Sequence, residues 1–185
     1  AINGKAMNPL EVLQLANRIA GRNGIGISQA LENRILGTKS RGVYEAPGMC
    51  LLGHGLACVY QAVLDRRATS LCRHLSSHVS DQIYDGRYFD PSTRAAISAI
   101  WQLAEPADGT VKFGLSKGHM RSHSLVDCPH SIYSEADSST EALEGLNPVR
   151  SPGYLEVSAV EAKGFAKIGL IDSASVWAKC RKMSP

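Results

Sequence analysis

Glu32 and Tyr44 stand near the two ends of a run, ENRILGTKSRGVYEAPG (residues 32–48), that is rich in acids, bases and glycines and has little to bury. An ionised carboxylate accepts hydrogen bonds from cationic or neutral N–H groups, and bonds to a charged acceptor are the stronger kind. A tyrosine adds a hydroxyl on a rigid arm. Arg34, Lys39 and Arg41 lie close enough in sequence to hold an acidic partner or to pair with Glu32 and Glu45. The run is too charged for a core strand and too poor in Ser and Pro for a flexible linker. It therefore reads as a loop carried between regular elements, where binding residues concentrate. The residue types leave two readings open: a site for a polar ligand, or a loop tied together by ion pairs.

Other chemistry is weaker. His74 and His78 are spaced to share a helical face, and His119, His123, Cys128 and His130 are close in sequence. Catalytic zinc sites combine His and Cys, but the second group falls on an expected exposed hairpin without a ligand-spacing signature, so no metal site is expected. GLSKG (114–118) matches the letters of a nucleophile elbow. That elbow needs a strand running into a helix, and here the letters fall on a hairpin turn. The glycines of GRNGIG (21–26) follow a helix instead of opening one, so they read as a helix stop and not a phosphate loop. Trp101 and Trp177 lie in helical patterns and read as packing residues.

The elements that must position these residues can be read from caps and periods. Asn8, Pro9 and Glu11 make a capping box with proline at the first helical position, ahead of an apolar face of Val12, Leu15, Ala16 and Ile19. Helical patterns resume from Pro47 through the segment ending VYQAVLD, again in ATSLCRHLSSHVSDQIYDG, and after Asp90-Pro91. The period changes in GTVKFGLSKGHMRSHSLVD (109–127), where Val111, Phe113 and Leu115 alternate with Lys112, Gly114 and Ser116 about a Lys117-Gly118 turn, the pattern of a β-hairpin. Residues 134–153 read as an exposed polar excursion. Ser158 and Glu161 suggest a capping box, and Ser173 a cap for a last short helix. Helices with an antiparallel hairpin and no βαβ alternation predict an α+β domain: one domain over 1–185, helices packed with a small antiparallel sheet and ending in a C-terminal helix.

Composition bounds the partners. The 185 residues are 44% hydrophobic and 20% charged, as in a folded globular chain, with a net charge of only +3. The scattered Lys and Arg give no footprint for nucleic acid, and no stretch is long enough to cross a membrane. The five cysteines include no Cys-x-x-Cys pair, and AINGKAMNPLE has no apolar run of the signal-peptide kind, so a reducing cytoplasm is expected.

The segment NGKAMNPLEVLQLANRIAGRNGIGISQALENRILGTKSRGVYEAPG resembles the start of the C-terminal domain of argininosuccinate synthase. Looser similarity continues through DGRYFDP, GTVKFGLSKG and GFAKIGL, and the longer bacterial type is the nearer pattern. The resemblance implies a ligase that joins citrulline to aspartate with ATP, giving argininosuccinate, AMP and pyrophosphate. It implies that Glu32 and Tyr44 contact citrulline. It assigns no substrate contact and no catalytic role to Arg34, Lys39 and Arg41, which are left as braces of the loop. ATP with Mg would be bound by an N-terminal domain carrying a Ser-Gly-Gly-x-Asp loop, supplied in cis or in trans. No such loop occurs in these residues, so this chain alone is expected to bind no cofactor. Asn23 stands where the family usually has histidine. The resemblance also implies a homo-oligomer, a tetramer whose C-terminal segments reach onto neighbouring subunits. The alternative expectation is a free-standing, non-catalytic binding or assembly module derived from that domain.

Overall fold

The computed structural model describes residues 1–135 and 151–169. The chain divides into two units, Ala1–Tyr133 and Ser134–Pro185.

The first unit starts from the expected capping box. The Asn8 side chain accepts from the Glu11 N–H at 3.0 Å, and the Glu11 carboxylate accepts from the Asn8 N–H at 3.0 Å. Helix α1 (Pro9–Arg22) buries Ala16 and Ala20. These small residues let it lie close to α2 (Pro47–Val63). Ala46, at the N-cap of α2, has no side-chain acceptor to offer. Asn17 of α1 supplies one instead, its Oδ1 accepting from the Gly48 N–H at 2.7 Å, so an orphan donor of the first turn is satisfied from the neighbouring helix.

Helix α3 (Arg66–Tyr84) is capped by Asp65, whose Oδ1 accepts from the Ala68 N–H at 2.7 Å. Helix α4 (Pro91–Ala104) packs on α3. Its buried Thr93 is satisfied by donating to the Arg87 carbonyl at 2.8 Å. The core joins Val59, Val63, Leu64 and Cys72, with Leu103, Val111, Leu125 and Cys128 packed against them. Trp101, expected as a packing residue, is instead 73% exposed on α4. The face of α4 that turns inward carries the small, buried Thr93 and Ala96.

Each strand pair forms its own two-stranded antiparallel sheet. Strands β1 (Ile27–Asn33) and β2 (Lys39–Glu45) pair in one. Strands β3 (Thr110–Ser116) and β4 (His119–Val126) form the expected hairpin. Its two-residue turn has both Lys117 (φ 47°) and Gly118 (φ 82°) left-handed, the geometry that matches the twist of the strands. The fold is the mixed α+β architecture that the sequence predicts.

In the second unit, α5 (Ser151–Ser158) and α6 (Val160–Lys167) follow one another. The expected Ser158–Glu161 capping box does not form. Ser158 is the last residue of α5, and Ala159 takes the N-cap of α6 with a near-helical backbone (φ −83°, ψ −5°) and no side-chain bond. A capping side chain needs the extended backbone that this position lacks. Residues 151–153, read as part of an exposed excursion, open α5. The rest of that excursion, 136–150, and the expected helix after Ser173, with Trp177, lie outside the described residues.

Candidate functional site

The stretch that reads as a loop is a β-hairpin. Its strands have no core beneath them, so the alternation of apolar and polar residues that marks a half-buried strand is missing. Hydrogen-bonded pairs across the ladder stand in its place. Residues Ile35–Gly37 turn the chain, with the Arg34 N–H donating to the Thr38 carbonyl and the Gly37 N–H to the Arg34 carbonyl, both at 2.8 Å. Gly37, at φ 79°, takes the left-handed position of such a turn.

The two helices clamp the root of the hairpin. Asn23 ends α1, and Gly24 and Gly26 follow at φ 70° and 81°. Here GRNGIG serves as the expected helix stop and turn. The Ala46 N–H donates to the Gly26 carbonyl at 2.9 Å. A Cβ on Gly26 would stand 2.6 Å from Pro47 Cα, so only glycine lets β1 leave α1 this close to the start of α2. The hairpin therefore projects from a fixed base.

Strand pairing decides which side chains meet. Glu32 pairs with Ser40, Ala30 with Gly42 and Ser28 with Tyr44, which puts all six on one face. Tyr44 leans back along β2, across Gly42, and its hydroxyl donates to Glu32 Oε1. Arg34 Nη2 approaches the same oxygen at 3.2 Å, with the Glu32 side chain 25% exposed. The guanidinium is anchored by Nε, which donates to Ser40 Oγ at 2.7 Å. Side-chain hydrogen bonding with Tyr84 at the end of α3, followed by the charge of Glu32, holds the Arg34 pKa above the ordinary arginine value. The hydrogen bond to Glu32 pushes the Tyr44 phenol above its ordinary value, aided by desolvation and the nearby carboxylate charge.

The other two basic residues lie on the opposite face. Lys39 Nζ donates to Asn33 Oδ1 at 2.6 Å and Arg41 Nη2 to Gln29 Oε1 at 2.7 Å. The structure thus brings Glu32, Arg34 and Tyr44 together and sets Lys39 and Arg41 apart from them. Among the described residues Glu45 takes part in no salt bridge.

The remaining candidates gather no chemistry. His74 Nδ1 bonds the Ser70 carbonyl within its own helix at 2.8 Å. Among the described residues no group of three or more His, Cys, Asp or Glu is placed to hold a metal ion, and no helix is long and apolar enough to cross a membrane. Ser116 ends β3 at a hairpin turn, not at an elbow.

Residues 1–165 match the family described as Arginosuccinate synthase C-terminal domain. The chain belongs to this family. It is similar to the argininosuccinate synthase of Rhodopirellula baltica, with 36% identity over 162 residues, 88% of this chain and 40% of that protein. The argininosuccinate synthases of Idiomarina loihiensis and Clostridium acetobutylicum are 32% and 33% identical, again over 88% of this chain and 40% of theirs. The chain therefore spans about 40% of the length of the curated relatives it matches.

Within this argininosuccinate synthase domain, sequence reasoning missed Ser40, Gly42 and Tyr84. The first two carry a signal once β2 is recognised, because residues two apart share a face with Tyr44. Tyr84 carries none: it is far away in sequence and ends a helix whose pattern says nothing about the hairpin.

Proposed function

We propose that this chain supplies one wall of a citrulline site, and oligomer contacts, in a ligase of arginine biosynthesis that joins citrulline to aspartate at the expense of ATP. The observation that carries the reading is the way Glu32 is held. Tyr44 and Arg34 both bind Oε1, and among the described residues no hydrogen bond is made to Oε2. A carboxylate that is oriented at one oxygen and open at the other is ready to accept N–H bonds from a ligand. Citrulline has such donors.

In the proposed reaction the citrulline ureido oxygen attacks the α-phosphorus of ATP and releases pyrophosphate. The aspartate amine then displaces AMP from the citrullyl adenylate. This chain's part is to bind and orient citrulline, with Glu32 accepting N–H bonds and Tyr44 fixing the direction of the carboxylate. Positioning of this kind contributes by making the attack effectively unimolecular. ATP with Mg falls to a nucleotide-binding domain in cis or in trans, since the phosphate loop of that domain does not occur in these 185 residues. The cytoplasm is the compartment that fits the cysteine usage. Exposed apolar side chains such as Trp101, Leu31 and Leu36 support contact with further protein surface, whether another domain or further copies.

Reconstitution tests the reading. The chain alone, mixed with citrulline, aspartate and ATP, is expected to release no AMP. Addition of an ATP-binding domain is expected to start turnover, with light scattering reporting a complex that contains several copies of each. Turnover by the chain alone would overturn this division of roles. Assembly without turnover would favour the non-catalytic module.

A further inference from the structure

We infer that Gly42 is a positioning residue, whose missing side chain is the space through which Tyr44 reaches Glu32. Its bearing on citrulline rests on the function proposed above; its bearing on the Tyr44–Glu32 contact does not.

Gly42 has no backbone reason to be glycine. The glycines with left-handed backbone include Gly24, Gly26, Gly37 and Gly118, and Gly42 is not among them. It sits in the middle of a regular ladder, opposite Ala30. A glycine there weakens the strand relative to alanine. What a side chain would meet is the tyrosine. A Cβ on Gly42 would stand 2.6 Å from Tyr44 Cε2, 2.8 Å from Cζ and 2.8 Å from the hydroxyl oxygen. The ring crosses this position because nothing rises from it. Without that passage the hydroxyl could not lie at the level of the Ala30–Gly42 pair, where it meets the Glu32 carboxylate.

The clashing atoms belong to the end of a rotatable side chain, so alanine would swing the ring aside and leave the ladder in place. This separates two quantities that usually fall together. Gly42→Ala removes a strand glycine, which favours the fold, and removes the hydroxyl from Glu32, which harms the site.

The test uses an enzyme assembled with an ATP-binding domain in cis or in trans. Gly42→Ala is expected to keep or raise the melting temperature and to raise the KM for citrulline by roughly two- to tenfold, as expected for loss of one hydrogen bond. The KM for ATP is expected to stay unchanged. On a Tyr44→Phe background the same substitution should add little. A second readout needs no substrate: tyrosine carrying a carbon-13 label at Cζ, with the Tyr44 signal assigned by Tyr44→Phe. That signal is expected to titrate above the ordinary tyrosine value in the parent protein, because the hydroxyl is bonded to Glu32, and Gly42→Ala is expected to return it towards that value, as Glu32→Gln should. An unchanged Tyr44 titration in Gly42→Ala would overturn the inference, and so would a melting temperature lowered by several degrees. A normalised titration with unaltered citrulline dependence would uphold the passage for Tyr44 and remove citrulline from this wall.

Discussion

The two hairpins, β1–β2 and β3–β4, are nearly equal in length and identical in sense, and they stand in opposite relation to the core. In β3–β4, Val111 and Leu125 pair across the ladder and pack on the cluster of Val59, Val63, Leu64 and Cys72. Phe113 meets the ring of His54 on α2, with centroids 5.7 Å apart. In β1–β2, Ile27, Leu31 and Val43 are exposed, and the side chains that meet are Glu32, Arg34, Ser40 and Tyr44. Each hairpin also has a glycine covered by a side chain. Tyr44 lies over Gly42 on its own strand, and His123, at the bulge of β4, lies over Gly114 of the facing strand. In one case the covering side chain ends on a carboxylate; in the other it is an imidazole at a break in the register. Equal backbone architecture thus carries two kinds of surface, one packed on the core and one held together by polar contacts between side chains.

The comparison breaks most sharply at Glu32. In an assembled enzyme, Glu32→Gln keeps the shape, removes the charge and turns one acceptor into a donor. Loss of a charged hydrogen bond predicts a loss of roughly ten- to a hundredfold in citrulline binding or rate. The ATP dependence should remain, because nothing places Glu32 on the phosphates. If β1–β2 were merely a braced hairpin, the same substitution would lower the melting temperature and leave the citrulline dependence intact. Citrulline titrations and thermal melts run in parallel separate the two outcomes.

Leu125→Ala is the mirror experiment on β3–β4. Leu125 is half-buried against the core cluster. Its truncation is expected to cost about 1–2 kcal/mol, at or below the low end for leucine because the site is not fully enclosed. Chemical denaturation reads this directly. The citrulline KM of the folded fraction should not move. A shift in KM would mean that the two hairpins are coupled, and the contrast drawn between them would fail.

How much of this was legible in the sequence follows the same division. The β3–β4 hairpin was readable because its burial imposes alternation on Val111, Phe113 and Leu115, and because a two-residue turn requires a residue such as Gly118. Helices α1, α2 and α4 were readable from caps and prolines that act locally, and α3 from its helical pattern alone. The β1–β2 strands were not, since a strand pair held by polar cross-strand contacts shows no period of burial. Glu32 and Tyr44 were singled out by residue type and by family resemblance, while their meeting depends on a register that the sequence does not display. The Ser158–Glu161 box failed for the converse reason: the letters were right, but the preceding helix α5 had already claimed Ser158. Tyr84 depends on where the end of α3 comes to rest, a tertiary fact with no local trace.

The finest probe of the contrast is Tyr44→Phe, which removes one hydroxyl and leaves the ring over Gly42. One neutral donor is lost to a carboxylate that Arg34 still holds, so the expected rise in the citrulline KM is only about two- to tenfold, below the effect of Glu32→Gln. The pH dependence gives it a signature. The hydrogen bond to Glu32, then desolvation, then the charge of the carboxylate, all raise the Tyr44 pKa above its ordinary value. A raised value means that the folded protein holds the phenolic proton more tightly than the unfolded chain does. The contribution of the contact is therefore complete below the ordinary tyrosine pKa of about 10. It is lost as pH rises through the higher folded value, where the phenolate would face the Glu32 carboxylate. The stability difference between the parent protein and Tyr44→Phe should thus be flat through neutral pH and shrink only in that alkaline window. A difference that instead changes near neutral pH would show that the hydroxyl is not seated on Glu32, and the distinction between a working hairpin and a structural one would lose its second member.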